Sequence, residues 1–292
     1  MRIGWIGTGV MGLPMAGHLQ KSGHELFVFN RTKSRAEPLF QKGAHWGETP
    51  AEVASRSEIL FTIVGLPKDV EEVYLGGKGI LSGESLCRIV VDMSTGPPSL
   101  AVKLAEASAK RGIDSLDAPV SGGDIGAREA TLAIMVGGKR KVFEKVRPLF
   151  RLMGENIAYM GGPGAGQSTK MCNQILVAGT MIGVCESLLY AAAAGLDQAE
   201  VINIIGTGAA GSWSINNLGP RIVRGDYDPG FMVDHFIKDL GIALEEAETL
   251  GLSLPGLALA HRLYLTVKEQ GRGRSGTQAL ILGLRDLKGF AS

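Results

Sequence analysis

The 292-residue chain has almost no net charge, with 30 lysines and arginines against 29 aspartates and glutamates and a formal balance of +1. Nucleic-acid binding needs a strong basic excess, so nucleic acid is not an expected partner. The short run Gly271-Arg272-Gly273-Arg274 reads as a solvated basic loop. Cysteine is scarce, and Cys87, Cys172 and Cys185 form no C-x-x-C pair. A sparse, odd set points to reduced thiols and a cytoplasmic protein, not a disulfide scaffold. None of the five histidines has another three or four residues away, so no metal is expected. The longest apolar run, Ile175 to Cys185, stops at Glu186, too short for a bilayer span, and no membrane partner is expected. Met1–Ile6 reads as a strand and not as a signal peptide. Repeats and low-complexity segments are lacking. What remains is a globular composition, 45% hydrophobic and 20% charged, long enough for one large domain or two ordinary ones.

The apolar strand Arg2–Ile6 runs straight into Gly7-Thr8-Gly9-Val10-Met11-Gly12. The G-x-G-x-x-G pattern is weak alone. Here it sits between a strand and a helix over Leu13–Ser22, closed by Gly23, with a second strand over Glu25–Asn30. Gly7 permits the tight turn, Gly9 lets a pyrophosphate approach the backbone, and Gly12 lets the helix pack close to the strand. The helix N-terminus is then the anion site. The end of the second strand carries Asn30-Arg31-Thr32 where an NAD site places an acid. Arg31 attracts a 2′-phosphate and Thr32 can bond it, so NADP is expected over NAD.

Strands and helices then alternate. Helices are predicted over Ser34–Lys42, Thr49–Arg56 (with Thr49 as cap and Pro50 first), Val70–Leu75, Ser99–Arg111 and Lys141–Leu152. Strands are predicted over Ala44–Trp46, Ile59–Val64, Cys87–Met93, Ile113–Ala118, Thr131–Val136 and Ile157–Met160. Leu66 and Pro67, past one carboxyl edge, are candidates for the adenosine half. Thr95, past another, is a candidate for the nicotinamide ribose or a cap for the next helix. Ser121, Gly122 and Gly123 expose one hydroxyl and backbone N–H groups to a common point, an anion nest suited to a carboxylate. From Gln167 the strands stop. One long helix covers Ser168–Ala194, followed by helices over Gln198–Ile205, Ser214–Arg224, Phe236–Leu250, Leu257–Gln270 and Gln278–Leu287. In the long helix Lys170, Asn173 and Gln174 share one face.

Four motifs in order resemble the β-hydroxyacid dehydrogenase family, which includes 3-hydroxyisobutyrate dehydrogenase and the tartronate, glyoxylate and succinic semialdehyde reductases. They are Gly4–Gly12, Asp117-Ala118-Pro119-Val120-Ser121-Gly122-Gly123, the segment Gly164-Ala165-Gly166-Gln167-Ser168-Thr169-Lys170-Met171-Cys172-Asn173-Gln174, and Lys238-Asp239-Leu240. The resemblance covers essentially the whole chain. It implies a Rossmann-type doubly wound parallel α/β domain over 1–163 and an all-α substrate and dimerisation domain over 164–292, joined by the long helix. It implies Lys170 as catalytic lysine with Asn173 as its partner, Ser121, Gly122 and Gly123 on the substrate carboxylate, and Thr95 and Lys238 on the cofactor. Phe231 falls in the segment expected to wall the pocket. The implied activity is hydride exchange between NADP(H) and a short β-hydroxyacid or semialdehyde, in a homodimer or homotetramer. Rival readings are a non-catalytic NADP-binding scaffold and an imine reductase, both disfavoured by Lys170. A 6-phosphogluconate dehydrogenase is disfavoured by length and by Cys172, where that family places a histidine. Arg128 is either a contact for a second acid on the substrate or a surface residue.

Overall fold

The computed structural model describes residues 1–286. The described residues form two compact units that divide between Lys170 and Met171. The division falls inside a helix, Ala165–Ala193, whereas the glycine-rich loop at 161–166 marks the boundary expected from sequence.

The first unit is built on a sheet of β1 (Arg2–Ile6), β2 (Glu25–Phe29), β3 (His45–Trp46), β4 (Ile59–Thr62), β5 (Ile89–Asp92), β6 (Asp114–Asp117), β7 (Val120–Ser121), β8 (Leu132–Gly138) and β9 (Gly154–Gly161). Their order is β3-β2-β1-β4-β5-β6-β8-β7, with β9 also on β8. The chain steps outward from β1 to β2 and β3, then returns to place β4 on the other side of β1. That reversal opens the ligand crevice of doubly wound sheets at the carboxyl ends of β1 and β4.

Side chains alternate between the two faces, as the strand period of two requires. Ile3, Trp5, Leu26, Val28, Phe61 and Val91 enter one core cluster. Ile6, Phe27, Leu60 and Val90, from the same strands, enter another with Val53, Tyr74 and Leu104. The six strands β1 to β6 are mutually parallel. The strand expected over Thr131–Val136 is β8, and it runs antiparallel to β6 and β7 and parallel to β9. Because β9 occupies the opposite edge of β8, β6 and β7 are two pieces of one edge, interrupted at Ala118-Pro119.

Several helices differ from their sequence patterns for local reasons. The helix expected over Ser34–Lys42 is a 3₁₀ turn, Lys33–Ala36, followed by a short α-helix, Glu37–Phe40, with Pro38 in its first turn. The helix expected over Ser214–Arg224 is two, Trp213–Asn217 and Gly219–Val223, with Pro220 opening the second. The helix through Leu257 spans Pro255–Val267 and passes into a π turn, Lys268–Arg272, holding Gly271 at φ 79°. The last expected helix is a 3₁₀ turn, Thr277–Ala279, then Leu280–Arg285; Leu287 lies outside the described residues. Thr49 caps as expected, its Oγ1 accepting from Glu52 N at 3.1 Å. Thr95 does not cap the helix after β5, which spans Pro98–Ala109 with Pro97 at the cap position.

The second unit has its own core. Ala178, Met181, Cys185 and Leu188 of the long helix pack with Phe236, Leu240, Tyr264 and Ile281. At 29 residues that helix is long and apolar enough to cross a membrane by length and composition, unlike the shorter run read from sequence. Its buried residues, spaced three and four apart, are the core-facing stripe of a globular helix.

Candidate active site

The glycine loop after β1 is sterically specified. Gly7 holds φ 99°, and a Cβ there would fall 2.1 Å from Ile63 O. A Cβ on Gly12 would lie 2.0 Å from Gly7 O. Gly9 differs, with no heavy atom within 4 Å of an added Cβ, so its outer face is open. The helix Gly12–Lys21 has no acidic residue in its first turn, as anion binding at a helix start requires. Thr8 N donates to Asn30 Oδ1 at 3.0 Å, and Asn30 Nδ2 donates to Thr32 O at 2.8 Å. Asn30 thereby ties the glycine loop to the Asn30-Arg31-Thr32 segment. Thr8 Oγ1 is buried without a hydrogen-bond partner in the described structure. An open glycine face and an orphaned hydroxyl beside it fit a dinucleotide pyrophosphate. Arg31 is 87% exposed, with Nη1 3.4 Å from Asp69 Oδ1. Val10 is exposed and Met11 half-buried on the same loop. Leu66 and Pro67, half-buried, begin the helix Pro67–Leu75 past the end of β4.

Past β5, a buried polar network fixes the next loop. Asp92 Oδ1 accepts from Thr62 Oγ1 at 2.8 Å and from Ser94 N at 3.1 Å. Since Thr62 spends its one proton on Asp92, Tyr74, 3.2 Å away, is the donor to Thr62. Burial pushes the Asp92 carboxyl up to about 6, against the pull of its hydrogen bonds. Ser94 Oγ accepts from Val64 N at 2.9 Å, joining this loop to the one after β4. Thr95 follows.

Asp117 ends β6 and holds the beginning of the long helix. Its Oδ1 accepts from Gly164 N at 2.8 Å and its Oδ2 from Gln167 N at 2.9 Å. Burial raises its carboxyl above the usual range, and the N–H donors, Gly164 first, oppose that. A Cβ on Gly137 or on Gly166 would strike this carboxylate within 2.8 Å, so both glycines make room for it. One turn into the helix, Lys170 is 7% exposed and its Nζ donates to Val120 O at 2.8 Å. Val120 is the residue before Ser121-Gly122-Gly123, whose glycines hold φ 132° and 63°. The structure thus places the lysine beside the Ser121-Gly122-Gly123 segment.

Asn173, Phe231 and Lys238 belong to the second unit. Asn173 follows Lys170 by three residues in one unbroken helix. Its Nδ2 donates to Gln174 Oε1 at 2.7 Å, and Gln174 Nε2 donates to Asp239 Oδ2. Lys238 Nζ lies 2.9 Å from Asp239 Oδ1. Phe231 meets Phe236 edge to face at 5.8 Å. Arg128 pairs with Asp124 at 2.7 Å across one exposed helix turn, which is the surface reading. Sequence reasoning gave no role to Asp92, Asp117, Gln167 or Asp239. The available signal was an acid or amide inside an otherwise apolar or glycine-rich stretch.

Two family models cover the chain. Residues 2–161 match the NAD binding domain of 6-phosphogluconate dehydrogenase, and residues 164–284 match the NAD-binding region of NADP-dependent 3-hydroxyisobutyrate dehydrogenase. The chain belongs to the β-hydroxyacid dehydrogenase family. Among its relatives in that family is the Arabidopsis thaliana protein named probable 3-hydroxyisobutyrate dehydrogenase-like 1, mitochondrial, 51% identical over 98% of this chain and 86% of its own length. Another is 2-hydroxy-3-oxopropionate reductase of Escherichia coli, 41% identical over 97% of each chain. The fold matches 3-hydroxyisobutyrate dehydrogenase of Salmonella typhimurium with a TM-score of 0.87 at 26% identity, covering 97% of this chain and 99% of the other. It matches Psf3, solved with NADP+ and 2-OPP, with a TM-score of 0.88 at 26% identity and the same coverage. As a β-hydroxyacid dehydrogenase, the chain is an oxidoreductase that uses a nicotinamide cofactor.

Proposed function

We propose that the protein exchanges a hydride between NADP(H) and a short β-hydroxyacid or its aldehyde acid, with Lys170 as general acid and base. The candidate substrates are the tartronate and methylmalonate semialdehydes, which give β-hydroxyacids, together with succinic semialdehyde and glyoxylate, which share the carboxylate and the aldehyde. The observation that carries this reading is the buried Lys170 ammonium, held at 2.8 Å by Val120 O next to Ser121-Gly122-Gly123. The nicotinamide, when bound, supplies the hydride or receives it.

The chain supplies the remaining work. Gly7, Thr8, Gly9, Val10, Met11 and Gly12 would hold the pyrophosphate. Asn30, Arg31 and Thr32 would receive the 2′-phosphate, with Arg31 as the cation that favours NADP. Leu66 and Pro67 would flank the adenosine half, and Thr95 and Lys238 the nicotinamide half. Ser121 and the N–H groups of Gly122 and Gly123 hold the substrate carboxylate. As negative charge builds on the carbonyl oxygen, Lys170 gives it a proton; in the oxidative direction Lys170 takes that proton back. Asn173 orients the hydroxyl, and Phe231 lines the pocket. The NADP+ complex of Psf3 and the NADP-dependent enzyme behind the second family model support the cofactor choice.

The test is a panel of NADPH-dependent reductions of these four aldehyde acids, with the best repeated using NADH. Turnover with at least one and a preference for NADPH are expected. A preference for NADH would reject the Arg31 assignment. Lys170→Ala should lower turnover by about 10²–10⁴-fold while NADPH binds nearly as before. A variant turning over like the wild type would remove Lys170 from the chemistry.

A further inference from the structure

Gln167 has no part in the chemistry above, yet it is 1% exposed in the first unit. Both ends of its carboxamide are used. Nε2 donates to Ser94 O at 2.8 Å, and Oε1 accepts from Gly96 N at 3.1 Å. The amide orientation is fixed chemically, because a carbonyl only accepts and a backbone N–H only donates. The two bonds bracket Thr95 in the way a neighbouring strand brackets a residue in a parallel ladder. The side chain therefore adds one more rung past the end of β5. Its own backbone N–H is held by Asp117 Oδ2 at 2.9 Å. Ser94 is in turn anchored by Asp92 and by Val64 N. Lys170 follows Gln167 by three residues, one turn along the same helix.

We propose that Gln167 is a positioning residue, a two-point clamp that holds Ser94-Thr95-Gly96 in register with the helix turn carrying Lys170. The inference rests on the function proposed above, in which Thr95 faces the nicotinamide half and Lys170 moves the proton. An apolar side chain of similar length would fill the same space but leave Ser94 O and Gly96 N buried and unpaired. The loop would then shift to find other partners, and the hydride and proton positions would separate. A displacement of about 1 Å in such a frame lowers turnover by about 10²-fold.

Two substitutions separate clamping from filling. Gln167→Met keeps the volume and loses both bonds. Gln167→Glu titrates: its neutral carboxyl donates to Ser94 O and accepts from Gly96 N as the amide does, whereas its ionised form sets an oxygen against Ser94 O. The charged and titratable groups around it are Asp92 at the end of β5, Asp117 at the end of β6, Lys170 on its own helix, and Tyr74, which reaches Asp92 through Thr62. Gln167→Met is expected to lose about 10²-fold in kcat at every pH. Gln167→Glu should start equally low at about pH 8 and regain activity relative to wild type as the pH falls towards about 5.5. Amide exchange at Gly96, followed by NMR without substrate, should quicken at least about tenfold in Gln167→Met, as expected for a lost buried hydrogen bond. Wild-type kcat with unchanged Gly96 exchange in Gln167→Met overturns the proposal, and so does a pH-independent ratio of Gln167→Glu to wild type. If Gln167→Met does not fold, the pH profile of Gln167→Glu decides. If the wild type reduces no aldehyde acid, the functional reading fails, and Gly96 exchange still judges the clamp.

Discussion

Asp92 shows how much a single buried group reveals beyond its sequence position. It ends β5 inside the protein, and burial lifts its carboxyl from 3.8 to about 6. Between those values the folded protein keeps a proton that the unfolded chain has released. Asp92 therefore favours folding most below about pH 4, and that contribution disappears as the pH rises through about 6. At about 1.4 kcal/mol per pH unit, the gap is worth roughly 3 kcal/mol. Asp92→Asn cannot titrate. Its stability relative to wild type, from urea unfolding, should improve by roughly that amount between about pH 4 and about pH 7.5. A stability difference that stays constant over this range would contradict the burial effect. Asp92 and Asp117 left only a faint mark in the sequence, an acid at the end of an apolar run. Their partners, Thr62 and Gly164, lie far away in the chain. The functional candidates were more legible, because Lys170 and Ser121-Gly122-Gly123 sit in recognisable local motifs.

At the scale of elements, the glycine loop and the helix behind it form one unit of design. Gly7 takes a backbone angle that strains a side chain, and Gly12 presses the helix against the loop. Gly12→Ala puts a methyl group 2.0 Å from Gly7 O, a clash relieved only if the helix moves off the loop. It should destabilise the protein by about 1–3 kcal/mol in urea unfolding and weaken NADPH binding by about tenfold or more in fluorescence titration. Unchanged NADPH affinity would contradict the assignment of this loop to the pyrophosphate. Where sequence patterns blurred elements, proline or glycine was responsible. Pro38 and Pro220 cut apolar patterns that periodicity alone carries through. The antiparallel placement of β8 had no local signal, since a buried strand looks alike in either direction.

For the whole molecule, each unit buries its own apolar core, in two clusters in the first unit and one in the second. On the long helix, Leu176 is 72% exposed and Tyr190 is 73% exposed in the single chain, and Ile204 and Trp213 are exposed as well. A second copy is expected to cover the exposed Leu176 and Tyr190 of the long helix, giving a homodimer or homotetramer. Light scattering coupled to gel filtration at micromolar concentration should return at least twice the 30.8 kDa chain mass. A monomer mass would reject the expectation, and a Leu176→Glu, Tyr190→Glu variant should shift the assembly towards the single chain.

By itself, the sequence determined the α/β start, the helical remainder, the glycine loop, the lysine segment and the family. Each of these is written in short-range spacing, where steric limits on the backbone and hydrophobic periodicity act over a few residues. Only the tertiary structure decided that Asp117 would hold the start of the lysine helix, that Gln167 would close on Ser94 and Gly96, and that Lys170 would end on Val120 O. Those contacts join residues 50, 71 and 73 positions apart. Burial makes each polar group there demand a partner, and only the packed fold determines which partner is near.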